Sequence, residues 1–280
     1  MRFALVAAAL TAGALIASSH YKIAPEALMP SASAEPRSAK AKTPVPTDHS
    51  PVPPAAPPTE SATWSDSDII SALEECVRLL APTGADVELS KPIRNGQCGT
   101  PAPVLLKRVA GVELNPPAVV NCRMAAKVHD WINESLQPLA RETLGTRVAG
   151  IITASAYMCR QRIGSSNERL SEHSVANALD ISAFMTTDGR SIDVLTRWGP
   201  TARDRQAHAA PDMAGGGDAR PLRDIAPSDS TTTQEAQFLR RVHDGACARF
   251  GTVLGPEANE AHRNHLHLDL AARKRGAFCE

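Results

Sequence analysis

Aromatic side chains are scarce in this 280-residue chain, in which Phe, Trp and Tyr together make up 4%. That argues against the stacking platforms that bind single-stranded nucleic acid. Net charge is missing too. Thirty Lys and Arg balance thirty Asp and Glu, so no overall field draws the chain to nucleic acid or acidic lipid. None of the six cysteines belongs to a Cys-x-x-Cys pair, which argues against a zinc ribbon.

What is present begins with Arg2 and the apolar run Phe3–Ala17, "FALVAAALTAGALIA", followed by a small-x-small site at Ala17–Ser19. Residues 1–22 therefore read as an export signal, either cleaved or kept as an anchor, since the run is near the lower length limit for spanning a bilayer. No cysteine follows closely, so a lipoprotein anchor is not supported. Export makes Cys76, Cys98, Cys122, Cys159, Cys247 and Cys279 disulfide candidates, with 15 full pairings open. The expected location is the periplasm or cell envelope, with inner-membrane contact only through an uncleaved anchor. Residues 23–62 hold ten of the 22 prolines and little large apolar surface, the composition of a stiff, unfolded spacer.

The folded domain is expected over residues 63–280. "SDSDIISALEECVRLL" places Ile69, Ile70, Leu73, Cys76, Val77 and Leu80 on one helical face behind capping residues. "NPPAVVNCRMAAKVHDWINESLQPLARETLG" opens with prolines suited to a helix start and closes in glycine, which predicts one long helix burying Val119, Cys122, Ala126, Trp131 and Leu136. His129 within it reads as structural. "RVAGIITASAY" predicts a buried strand, and "ALDISAF" with the Asp188-Gly189 turn predicts a hairpin. Residues 199–231 are poor in apolar side chains and read as a mobile insertion. A helix capped by threonine and closed by Gly251 follows. The fold class is α+β, a mainly antiparallel sheet flanked by helices.

Three of the nine histidines crowd into "HRNHLHLDL", His262 to Leu270. In a strand, Leu266, Leu268 and Leu270 face the core while His265, His267 and Asp269 face the other way. Some 90 residues earlier, "LSEHSVANALDIS" sets His173 seven residues before Asp180, a carboxylate inside an apolar strand that needs a cation or several donors. Two histidines and one carboxylate are a common catalytic zinc set with one open position, suited to amide hydrolysis. Glu172 reads as a solvated loop residue. His20, His49, His208 and His243 carry no functional assignment.

"SEHSVANALD" followed by "HRNHLHLD" resembles the metal-binding pattern of the LAS metallopeptidases, the D-Ala-D-Ala carboxypeptidase and murein endopeptidase group. Over a longer span, "KPIRNGQCGTPAPV", "YMCRQRIG", "LSEHSVANALDISAF", "VHDGACARFGTVLGPEANEAHRNHLHLDLA" and the last cysteine resemble the bacterial extensin-like C-terminal domain family, from Asp66 to Cys279. The LAS resemblance implies that architecture, a Zn2+ site of His173, Asp180 and His267, and a catalytic imidazole at His265. It implies Arg160 as the holder of a substrate carboxylate or carbonyl. His262, Asp269 and Tyr157 are implied as supporting or substrate-facing groups. Two departures stand out. Ala176 replaces the usual glycine, so a slightly rearranged backbone is expected. Asn264 replaces the carboxypeptidase glutamate, which leaves His265 as the base. The expected function is an exported zinc-dependent peptidase or endopeptidase acting on peptidoglycan, and the alternative is a non-catalytic wall-binding module retaining the metal site.

Overall fold

The computed structural model describes residues 63–162, 169–209 and 233–280. The signal or anchor, the proline-rich spacer and residues 210–231 of the expected insertion lie outside the described residues.

Helix α1 (Asp66–Leu80) starts at a capping box. The Ser65 hydroxyl accepts from the Asp68 N–H at 3.2 Å, and the Asp68 carboxylate accepts from the Ser65 N–H at 2.9 Å. Its buried edge is narrower than the periodicity suggests. Cys76 and Leu80 are buried, but Ile70 and Val77 are exposed, because α1 packs against α2 (Cys122–Trp131) along the edge that carries Cys76.

Strands β1 (Asp86–Leu89), β4 (Pro103–Val109) and β5 (Val112–Asn121) form an antiparallel run, with β2 (Ile93–Asn95) and β3 (Cys98–Thr100) as a separate hairpin. The prolines expected to open a helix lie in β5 instead. Pro116 and Pro117 face a gap in the β4 register, and β6 pairs only with Glu113 to Asn115. Their missing N–H groups therefore cost no ladder bond. The helix begins where Asn121 caps it, its side chain accepting from the Met124 N–H at 2.8 Å. From α2 it runs through a π-helical turn at Ile132–Leu136 into α3 (Gln137–Leu144) and stops at Gly145, which takes a left-handed φ of 69°.

Strands β6 (Val148–Ser155), β7 (Ala178–Thr186) and β8 (Ser191–Asp193) follow, the last two joined by the expected turn. Then come α4 (Val194–Arg197), α5 (Ala202–Ala209), α6 (Gln234–Cys247), β9 (Thr252–Leu254), β10 (Leu266–Asp269) and β11 (Phe278–Cys279). Helix α6 ends at Cys247, before Gly251. It crosses the π turn at Gly245, where a Cβ would sit 2.3 Å from Ser135 Oγ. The main sheet runs β1-β4-β5-β6-β7-β10-β9-β11 with β8 also on β7. Among the described strands only β5–β6 and β9–β11 are parallel, so the domain is α+β with a mixed, mainly antiparallel sheet.

Trp131, Phe184, Phe238, Leu179, Ile181, Leu266 and Leu268 are buried in one core between the sheet and α2, α3 and α6. The first part of the expected insertion is hydrogen-bonded to the rest of the domain. Arg203 donates to the carbonyls of Pro256 and Glu257, the Ala202 N–H donates to the Glu257 carboxylate at 2.9 Å, and Asp204 pairs with Arg263 at 3.0 Å. Disulfides join Cys76 to Cys122, Cys98 to Cys159 and Cys247 to Cys279. Among the described residues no helix is long and apolar enough to cross a membrane.

Candidate metal centre

Asp180 and His267 are directly opposite each other in the antiparallel β7–β10 register. Because strand side chains alternate, their neighbours Leu179, Ile181, Leu266 and Leu268 enter the core while this pair projects from the other face. His173 arrives from a short 3-10 turn, Glu172–Val175, capped by Ser171. Ala176 then turns the chain into β7 with φ 55° and ψ 30°, and its carbonyl accepts from the Asn121 N–H at 2.7 Å. The backbone takes the left-handed conformation that glycine would favour.

His173, Asp180 and His267 each offer one ligand atom to a common point, all within 4.8 Å of one another, and all three residues are buried. His173 Nε2 lies 3.2 Å from Asp180 Oδ1 and 3.1 Å from His267 Nδ1, and His267 Nδ1 lies 2.8 Å from Asp180 Oδ1. Tetrahedral zinc ligands with bonds of about 2.1 Å stand about 3.4 Å apart, so the cluster is slightly tight for an ion and close to the right shape.

The far side of each ring decides which atoms face inward. His173 Nδ1 donates to the carbonyl of Ala156, and His267 Nε2 donates to Asp269 Oδ2 at 3.1 Å. Both partners only accept, so both inner nitrogens are left with lone pairs in the neutral rings. Three acceptors therefore meet around one small volume, which needs a proton or a metal cation. Burial works against charge on Asp180, but hydrogen bonds with His173 and His267 overcome it and hold the carboxyl well below its usual range. Burial likewise disfavours a charged His267, yet Asp180 and Asp269 push its pKa up to about 9. Without a metal, one proton on His267 Nδ1 serves the whole cluster.

Of the remaining expected site residues, His265 comes nearest, its Nε2 3.8 Å from Asp180 Oδ2. It precedes β10 rather than lying within it. Its Nδ1 is 2.8 Å from Asn264 Oδ1, so the residue that replaces the expected glutamate orients the imidazole. The His262 ring lies 5.2 Å from that of His265 and 5.9 Å from that of His267, and its Nδ1 bonds Asn259. Burial, then the neighbouring His265 and His267, push the His262 pKa down to about 4. Burial also lowers that of His265, with help from His267, His173 and Arg160 against the pull of Asp180. Arg160 thus acts on the cluster through its charge, while its Nη1 donates to the Gln161 carbonyl at 3.4 Å. Tyr157 is not brought into the cluster by any hydrogen bond among the described residues, and its hydroxyl is buried without a partner there.

Glu172, expected to be solvated, instead pairs with Arg162 at 3.3 Å and accepts from Asn177 Nδ2 at 2.7 Å. This brace holds the His173 turn together. Ser174 is a further part of the site that the sequence does not single out. Fully buried, it donates to the Arg160 carbonyl at 2.7 Å and accepts from the Arg160 N–H at 3.0 Å. The strand–turn pairing that buries a serine beside the histidine has no signature in local sequence. The strap from Ala156 to Arg160 is further tied by the Met158 N–H donating to the His173 carbonyl at 3.2 Å and by Cys98–Cys159.

The family model described as extensin-like protein C-terminus matches residues 74–215 and 220–280. The chain belongs to that family. All residues of the buried His/Asp cluster, and all six cysteines of the extensin-like domain, fall inside the matched stretches. No curated protein and no solved structure matches the chain.

Proposed function

We propose that this extensin-like domain is an exported, zinc-dependent peptidase that cuts the stem peptides or cross-links of peptidoglycan. The carrying observation is the donor set: His173 Nε2, Asp180 Oδ1 and His267 Nδ1 converge as acceptors, with Ala156 and Asp269 taking the protons on the outer ring nitrogens. Such outer partners are how metal-binding histidines are oriented. An ion bound there supplies Lewis acidity, polarising an amide carbonyl and acidifying water.

The chain's own groups would supply the rest. His265 is held by Asn264 at the edge of the cluster, and its lowered pKa leaves it a free base at neutral pH, able to take a proton and return it to the leaving amine. Arg160 places a positive charge near His262 and His265, suited to a substrate carboxylate or carbonyl. The peptidoglycan assignment draws on the likeness of the histidine pattern to the LAS metallopeptidases. It also draws on the three disulfides, which suit an oxidising, exported environment.

A second reading, a wall-binding module that keeps the metal as a fold staple, draws on burial. His173 is 0%, Asp180 4% and His267 8% exposed. Purified protein incubated with intact sacculi, with and without chelator, separates the two. Release of peptides that chelator abolishes and zinc restores supports the peptidase. Zinc-dependent pelleting with sacculi and no released peptide supports the binder.

A further inference from the structure

Asp269, which accepts from His267, is itself the end of a longer relay. Thr252 on β9 is directly opposite Asp269 in the β9–β10 register and is buried, so its hydroxyl shares a face of the sheet with the Asp269 carboxylate. The same oxygen receives two N–H groups of Arg273, from Nε at 3.1 Å and from Nη2. The Ala271 N–H donates to the other Asp269 oxygen at 2.9 Å.

The direction of every bond follows from what each group can do. A guanidinium has donors and no acceptor, so Thr252 Oγ1 must accept from Arg273. A hydroxyl has one proton to give, and the carboxylate opposite can only accept, so Asp269 is the acceptor that the register offers Thr252. Asp269 in turn accepts from His267 Nε2, which fixes the Nε2–H form of the ring. His267 Nδ1 is then the nitrogen left for the cluster with Asp180 and His173.

We infer that Thr252 and Arg273 are positioning residues of the metal centre, a relay that holds in place the Asp269 carboxylate, which fixes the nitrogen of His267 that faces the ion. The inference rests on the metal reading of the His173–Asp180–His267 cluster. Chain order gives no sign of it, since the two residues are 21 apart and meet through the β9–β10 pairing.

Zinc alone is the probe, measured by chelator competition on the full chain with its disulfides formed. His267 ring nitrogens are followed by NMR in zinc-free and zinc-loaded protein. Thr252→Val keeps the side-chain shape but removes the hydroxyl, and should weaken zinc about tenfold, at the low end of what outer partners of metal ligands contribute. It should also speed exchange of the His267 Nε2–H with water. Thr252→Ser should restore both. Arg273→Leu should shift both the same way without touching the buried strand. Phe278→Leu should change neither, although Arg273 lies over that ring at 5.7 Å. A folded Thr252→Val or Arg273→Leu protein with wild-type affinity and unchanged ring signals overturns the relay. Should the wild type bind no zinc, the metal reading fails, yet the zinc-free ring signals still decide the relay. A slowly exchanging Nε2–H lost in Thr252→Val supports it, and one that stays refutes it.

Discussion

Metal uptake should release a proton from His267, with a pH dependence that can be worked out in advance. In the metal-free fold Asp180 and Asp269 raise the His267 pKa to about 9. At pH 7 only about 1% of molecules then have Nδ1 free, since two pH units correspond to a hundredfold. Zinc must displace that proton, so each ion bound at pH 7 should release about one from His267, and affinity should climb about tenfold per pH unit from 6 to 8. The penalty at pH 7 is about 3 kcal/mol relative to the alkaline limit. The metal-free protein should show the mirror effect. A raised folded pKa stabilises fully below the unfolded value near 6.5, and that contribution is lost as pH rises through about 9. Asp180 has the opposite sign: its depressed pKa stabilises above the ordinary carboxylate range and fails only in strong acid.

Calorimetric zinc titration in buffers of different ionisation enthalpy counts the protons, and chelator competition gives the slope. Asp269→Asn identifies the source. Losing one of the two carboxylates lowers the His267 pKa, so fewer protons should leave at pH 7 and the rise should move to lower pH. Affinity that is flat from pH 6 to 8, or an Asp269→Asn variant releasing as many protons as wild type, would refute the reasoning.

Three further outcomes are expected. His265→Ala should keep most of its zinc by atomic spectroscopy while cleavage of a cross-linked muropeptide falls 10²–10⁴-fold, whereas His267→Ala should lose the metal; equal loss in both would make His265 a ligand. Replacing Cys98 and Cys159 by alanine opens a loop spanning 61 positions and should cost up to about 4 kcal/mol by chain entropy, read from denaturant melts, and it should weaken zinc because the strap carrying Ala156 is released. At Ala176 two terms nearly cancel: glycine relieves about 1 kcal/mol of left-handed strain but gives up a fully buried methyl worth about 0.8 kcal/mol. Ala176→Gly should therefore melt close to wild type, while Ala176→Val, branched at Cβ, should lose both stability and zinc.

The alternation of "HLHLDL" makes both faces of β10 legible in the sequence, because period two has one structural meaning when every second residue is leucine. His173 and Asp180 were legible as chemistry, since a carboxylate between Leu179 and Ile181 demands a partner. Sequence alone puts the helix start at Asn115, and the chain starts it at Cys122, because proline suits the first turn of a helix and an unpaired stretch of strand equally well. Ile70 and Val77 belong to the apolar stripe yet stay exposed, because periodicity locates such a stripe but not how much of it a neighbour covers. The Ala156 carbonyl, the brace at Glu172 and the relay through Thr252 could not be read at all. A backbone acceptor leaves no trace in residue type, and cross-strand partners depend on a register set elsewhere in the fold.

That register ties the leucines to the chemistry. His267 faces Asp180 only because Leu266 pairs with Ile181 and Leu268 with Leu179. Sliding β10 by one residue would bring Leu268 or Leu266 against Asp180 and turn His267 into the core. The slip would take two fully buried leucines out of the apolar core and set them against the polar cluster, and would put an imidazole into that core without the carboxylates that hold it. The three inner atoms, drawn from positions up to 94 residues apart, therefore owe their 2.8–3.2 Å spacing to hydrophobic burial on the opposite face of the same strands. A substitution that loosens that burial, Leu268→Ala for instance, should weaken zinc binding without touching a ligand. Its stability loss, about 2–5 kcal/mol for a buried leucine, should be partly recovered as zinc is raised. If Leu268→Ala lost stability yet bound zinc as tightly as wild type, the site would be held by its own hydrogen bonds and not by the core behind it.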